Sequence, residues 1–152
     1  MVLIADPRAK AECCKLVHQN PIPLPVAAAV IERGGEVLLA QRPGHKQQGM
    51  KWEFPGGKVE PGETAEAALV REIREELNCE VCLIRALPRF AHKYPEMTIE
   101  MIPFVCRLIS GSPEPQPAEH LAIAWVRPEL LAGYDLAAAD LPIVAALQSP
   151  AT

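Results

Sequence analysis

The residues of this chain best suited to chemistry crowd into one stretch, Glu53 to Cys79 (EFPGGKVEPGETAEAALVREIREELNC). Glu72, Glu75 and Glu76 stand at i, i+3 and i+4, so in a helix their carboxylates share one face. Like charges placed this way repel one another, and local helix stability gives no reason for them. Convergent hard oxygen ligands are, however, what magnesium or manganese requires. The same residues could also form a solvated face on which Arg71 and Arg74 soften the repulsion. The setting argues for the metal, because a paired-glycine turn, Gly56-Gly57, and a turn glutamate, Glu63, stand just upstream. Arg71 is placed to hold Glu63 or a neighbouring carboxylate and so orient the ligands.

The elements that must position these groups follow from pattern. A helix starts near Thr64, a good N-cap residue after the Pro61-Gly62 turn. Leu69, Val70, Ile73 and Leu77 recur at helical spacing as its apolar stripe. Upstream, Val26 to Glu32 reads as a buried strand, Gly34-Gly35 as a hairpin turn and Glu36 to Gln41 as the returning strand. Residues 42–54 (RPGHKQQGMKWEF) read mainly as a polar loop. Arg42, at a strand end near the glycine turn, suits a bidentate phosphate contact, whereas His45, Lys46 and Lys51 read as ordinary surface. Glu80 to Leu87 and Leu121 to Val126 are predicted strands. Met97 to Ile109 is a longer one, in which Pro103 suggests a sheet edge or a bulge. Ser110 to Ala118 carries three prolines and reads as a loop. Pro128 opens a short helix stopped by Gly133. A last helix runs from Leu141 to Gln148, with Asp140 as its N-cap and Pro142 in its first turn. Strands, one central helix, more strands and a closing helix make an α+β domain, an α/β/α sandwich.

Composition narrows the function classes. The 152 residues suffice for one domain with a real core. The net charge of −4 argues against binding a nucleic acid polymer, since no basic tract neutralises a phosphate backbone. No apolar run is long enough to span a membrane, and MVLIADPRAK is too short and too soon acidic for a secretory signal. A cytoplasmic location is the expectation. Five cysteines make no disulfide framework, and Cys79 and Cys82 are expected to pack as small apolar residues. Residues 1–21 lie outside the motif-bearing pattern, with a short helix predicted over Ala9 to Val17.

The spacing Gly57-x5-Glu63-x7-Arg71-Glu72-Ile73-x-Glu75-Glu76 resembles the signature of the Nudix hydrolases, which cleave nucleoside diphosphates linked to another moiety. One position departs: the family usually has glycine after the helix, and here Asn78 follows, the next-best residue for a left-handed C-cap. The resemblance covers roughly Val26 to Leu147 and implies the Nudix fold, a mixed β-sheet between helices. Residues 22–152 are then the hydrolase domain and 1–21 an N-terminal extension. It implies Mg2+ or Mn2+ held by Glu72, Glu75, Glu76 and the backbone carbonyl of Gly56. Glu119 stands at the place of a family glutamate that acts near the metals as ligand or general base. Glu63, Arg71, Glu75 and Glu119 become the catalytic candidates, and Arg42, Phe54 and Asp140 the substrate-binding ones.

The segments WEFPGGKVE, HKYPEMTIEM and LAAADLPIVAAL look like the MutT-like branch, which converts nucleoside triphosphates to monophosphate and pyrophosphate. That implies a nucleoside triphosphate substrate of the cytidine or oxidised-purine type, a role in nucleotide-pool sanitation, and a monomer or homodimer. An ionised Asp140, able only to accept hydrogen bonds, would favour the cytosine amine or the N7–H of oxidised guanine. Tyr94-Pro95 keeps ADP-ribose and dinucleoside polyphosphates as the alternative substrates. A non-catalytic nucleotide sensor is the reading from another class. It would be expected to have lost some of the carboxylates, and all are present.

Overall fold

The computed structural model describes residues 22–149; the N-terminal extension 1–21, with the predicted helix at Ala9 to Val17, lies outside them. The strands are β1 (Leu24–Arg33), β2 (Glu36–Gln41), β3 (Trp52–Glu53), β4 (Gly56–Lys58), β5 (Val81–Ala86), β6 (Phe90–Lys93), β7 (Thr98–Leu108) and β8 (Ala122–Val126). Two α-helices, α1 (Ala65–Leu77) and α2 (Leu141–Gln148), and a 3-10 turn at Pro128–Gly133 complete the main frame. The strands form one mixed sheet whose spine runs β3-β2-β1-β7-β5, with β8 on β2, β4 on β1 and β6 on β7. β1 and β7 pair in parallel, and the other strand pairs are antiparallel.

The centre of the sheet is β1, whose run AAAVI is buried on both faces, as a strand covered on both sides must be. Its side chains alternate between two cores. Ala27, Ala29 and Ile31 meet Leu69, Ile73 and Leu77 of α1, whereas Ala28 and Val30 share the opposite core with Leu131, Ile143 and Val144. The expected α/β/α sandwich is therefore built on one strand. Helix α1 starts where Thr64 Oγ1 accepts from Ala67 N (3.1 Å) and ends at Asn78, left-handed at φ 52°, as its composition predicts.

Several expectations are corrected. Val70 is only half-buried and Ala68 takes its place in the stripe, because the buried face turns toward β1. Glu76 is buried too, so the three helical glutamates do not share one exposed face. Pro103 lies in the middle of the sheet, opposite Ala28 of β1. Its carbonyl accepts from Leu87 N (2.9 Å) where β5 has ended along β7 and β6 has not begun. The missing N–H of the proline thus faces a gap in the ladder. Cys79 is buried and Cys82 is exposed, so only the first packs as an apolar residue. Asp140 precedes α2 with helical dihedrals and makes no capping bond. The loop read over residues 42–54 contains the short strand β3, and the predicted Gly56-Gly57 turn is itself strand, β4 paired with β1; both are too brief to carry a period.

The paired glycines set the clearance on which β4 depends. A Cβ on Gly56 would press into the Ala27 carbonyl of β1, and one on Gly57 into the Glu72 carboxylate. Gly133, by contrast, faces open space. Gly56→Ala is expected to lower Tm by about 3–10 °C, the penalty of overpacking against backbone that cannot yield. Gly133→Ala should leave Tm within about 2 °C, a typical surface change. Thermal melts of the two variants beside the parent check this, and equal melting of all three would refute it.

Candidate active site

Helix α1 presses its apolar stripe onto β1, and this seats Glu72 and Glu76 against the Gly56-Gly57 strand. Glu76 Oε2 accepts from Gly56 N (3.2 Å), and no Arg or Lys forms an ion pair with it among the described residues. Burial, helped by the nearby charges of Glu53 and Glu72, pushes its carboxyl up to about 9. Glu72 is also raised, mainly by burial, although Arg71 opposes the shift. Glu75, one turn before Cys79, is about half exposed.

Arg71 divides the helical carboxylates from the turn. Its Nη2 and Nε donate to the two Glu63 oxygens (2.6 and 3.2 Å), and Nη2 also reaches Lys58 O (3.2 Å). Nη1 donates to Glu72 Oε1 (2.9 Å) and more weakly to Glu75 Oε2 (3.5 Å). The guanidinium holds the Glu63 carboxyl below the usual carboxylate range, aided by the Glu60 N–H.

One cleft of about 380 Å³ gathers part of this set; Glu63, Arg71 and Glu75 are not among its lining residues. Gly56, Gly57, Glu72, Glu76 and Glu119 line one part of it, and Phe54, Tyr94 and Asp140 another. An adjoining pocket of about 370 Å³ shares Arg42, Glu53 and Tyr94 with the cleft and extends it to Met97. Glu119 is exposed, close enough for its charge to act on Glu72 and Glu76. Phe54 is buried in the core, and its N–H donates to Asp140 Oδ2 (3.3 Å). Asp140 therefore spends its carboxyl on the neighbouring strand instead of on α2. Burial first, and then the charge of Glu53, pushes that carboxyl well above the ordinary range. The shift is toward the proton-bound form, which has one donor and remaining acceptor capacity, whereas the sequence reading took an ionised, acceptor-only carboxylate.

The NUDIX domain family matches residues 22–147. The chain is 40% identical over 124 residues to the CTP pyrophosphohydrolase of Escherichia coli K12, covering 82% of this chain and 90% of that one. It is 43% identical over 79 residues to the 8-oxo-dGTP diphosphatase of Proteus vulgaris, covering 51% and 70% of the two chains. Among solved structures, the E. coli ORF135 protein matches with a TM-score of 0.72 at 37% identity, over 84% of this chain and 93% of that one. The chain belongs to the Nudix hydrolases. It is a pyrophosphohydrolase of their MutT-like kind, and the mixed sheet between helices is the Nudix fold.

Nudix hydrolases as a family require a divalent metal, and the residues here suit one. Glu76 is a buried carboxyl whose only hydrogen bond among the described residues comes from a backbone N–H, so it needs either a proton or a cation. Glu72 and Glu119 bring further hard oxygens to the same wall. Among the described residues no three such groups already close on one point, and Arg71 holds Glu72 and Glu75. The set is gathered around the cleft, with Arg71 competing for two of its members.

Arg42, expected to make a phosphate contact, lines the cleft. Its Nη1 donates to Glu53 Oε2 (2.9 Å) and its Nε to Gln47 O (2.8 Å), and among the described residues Nη2 makes no hydrogen bond. Sequence reasoning missed Glu53 and His120, which meet at 3.0 Å between Nε2 and Oε1. The available signals were slight: a charge set between two aromatic residues in Trp52-Glu53-Phe54, and a histidine directly before an apolar strand.

The Glu76 shift carries a pH signature. Its folded pKa lies above the unfolded value, so the metal-free protein loses stability as pH rises from about 4.5 toward about 9. Glu72 and Asp140, also raised, act in the same direction. Glu63 acts oppositely, but only below its ordinary range. In a chelator, Tm should fall between about pH 5 and about pH 8.5, and Glu76→Gln should flatten the fall and melt higher at the alkaline end. The same variant should lose at least about a hundredfold in turnover. Melting curves at several pH values, paired with activity, check both; a slope unchanged by Glu76→Gln would contradict the assignment.

Proposed function

We propose that this Nudix enzyme hydrolyses a nucleoside or deoxynucleoside triphosphate to the monophosphate and pyrophosphate, with cytidine-type or oxidised-purine nucleotides preferred, in nucleotide-pool sanitation. The observation that carries the reading is a single cleft in which Glu72, Glu76 and Asp140 are all wall residues. The names of the relatives, a CTP pyrophosphohydrolase and an 8-oxo-dGTP diphosphatase, support the same substrate class.

In this reading Mg2+ or Mn2+ is held by Glu72, Glu75, Glu76, Glu119 and the Gly56 carbonyl. Such a cation supplies neutralisation of the phosphate oxygens and a more acidic bound water. The chain's own residues do the rest. Arg71 and Glu63 hold the carboxylates in register, and the free Nη2 of Arg42 receives a phosphate oxygen or the base. Glu75 or Glu119 serves as general base, the two being the most exposed of the acidic residues near the metal position. Phe54 supports the base pocket through its backbone bond to Asp140.

Asp140 reads the base as a neutral acid. Cytosine pairs an amine donor with an adjacent ring acceptor, and oxidised guanine an N7–H with an adjacent carbonyl. Either edge matches a group that gives one hydrogen bond and takes another. Oδ2 already accepts from Phe54 N, so the proton belongs on the other oxygen and the polarity of the pair is set.

A panel of nucleotides with Mg2+, read by pyrophosphate release, tests the function. CTP, dCTP and 8-oxo-dGTP should be cleaved with kcat/KM at least about tenfold above UTP and dTTP, the worth of one good hydrogen bond. Asp140→Asn retains a donor and an acceptor and should keep that ranking. Asp140→Ala should lower kcat/KM for the best substrate and bring the ranking within about threefold. Cleavage of ADP-ribose or dinucleoside polyphosphates in preference to every triphosphate would overturn the reading.

A further inference from the structure

The segment that carries Glu119 is strapped to the rest of the site at four points. Gln116 N donates to Leu77 O (2.9 Å), Ala118 N to Glu76 O (3.0 Å) and Leu121 N to Gln41 O (2.9 Å). The fourth is the side chain of His120, 3.0 Å from Glu53 through Nε2. This imidazole is 5% exposed, although Glu119 beside it is open to the cleft. A carboxylate can only accept, so Nε2 carries the hydrogen in this bond. Nδ1 is buried and, among the described residues, has no hydrogen-bond partner.

Glu53 is gripped from two sides, by His120 on Oε1 and by Arg42 on Oε2 (2.9 Å). It lies between the two ends of the cleft, near enough for its charge to act on both Glu76 and Asp140. Losing the imidazole contact would leave Glu53 on one guanidinium nitrogen, free to turn toward either buried carboxyl. It would also leave Glu119 suspended between the backbone bonds of Ala118 and Leu121.

We propose that His120 is a positioning residue that holds two cleft carboxylates at once, Glu53 through its Nε2–H and Glu119 through the peptide that joins them. His120 itself touches neither substrate nor metal. Its effect is geometric: an error of about 1 Å in a catalytic group can cost about a hundredfold in rate, and removal of an orienting partner typically costs about ten- to a hundredfold.

The inference rests on the nucleotide-hydrolase reading only for its assay, which uses whichever nucleotide the parent cleaves best. His120→Gln keeps an N–H donor near the position of Nε2, and His120→Leu fills part of the space without one. His120→Leu should lose about ten- to a hundredfold in kcat, and His120→Gln should recover to within about threefold of the parent. In a Glu53→Gln background the His120→Leu loss should shrink, since part of what His120 holds is already altered. Long-range proton–nitrogen NMR of the parent gives a reading that needs no turnover, and should show Nε2 protonated. The proposal is overturned if His120→Leu keeps kcat within about twofold while merely melting lower. It is equally overturned if His120→Gln falls as far as His120→Leu at equal Tm, or if Nε2 carries no proton.

Discussion

A carboxyl group buried between a helix and a glycine strand governs this molecule. Leu69, Ile73 and Leu77 drive α1 onto β1 by the ordinary hydrophobic effect. Glu76 is carried down with them, one position before Leu77, to rest beside Gly56. At Gly56 a Cβ would meet β1 backbone that cannot yield, and at Gly57 it would displace the Glu72 carboxylate. The fold thus commits an acidic group to a place where it cannot stay charged alone, since removing a carboxylate from water costs several kcal/mol. A proton relieves the conflict at some expense, and a divalent cation relieves it while becoming useful.

The rest of the cleft extends the same tension. Glu72, Glu53, Glu119 and Asp140 add negative or latent charge along the wall, and two arginines partition it. Arg71 works at the motif end, binding Glu63, Glu72 and Glu75. Arg42 works at the other end, binding Glu53. Between them the pattern alternates charged and neutralised groups: Glu63 is held ionised by its guanidinium, whereas Glu76 and Asp140 are pushed toward the proton-bound form. A phosphorylated ligand brought in with cations fits such a wall, because the cations answer both sets of oxygens.

What was legible in the sequence is what short-range physics determines. The start of α1 at Thr64, its left-handed end at Asn78, the Gly34-Gly35 hairpin and the closing helix at Leu141 each depend on a few adjacent residues, and each is where the pattern puts it. The carboxylate spacing and its glycine turn were likewise local and carried the family. The burial of Glu76 was not legible, because i, i+3, i+4 spacing does not say which edge of a helix meets a sheet. Asp140 looked like a cap for the same reason: its bond to Phe54 spans 86 residues. Pro103 defeated the edge-strand rule, since the gap that admits it is made by two other strands. Glu53 and His120, 67 residues apart, became visible only as a pair.

The central claim is that the buried Glu76 carboxyl exchanges its proton for a metal ion. Calorimetric titration of Mg2+ into the protein near pH 7, in two buffers of different ionisation enthalpy, measures this most directly. Binding is expected with net proton release, and Glu76→Gln should lose both the release and most of the affinity. Binding without proton release, or release unchanged by Glu76→Gln, would contradict it.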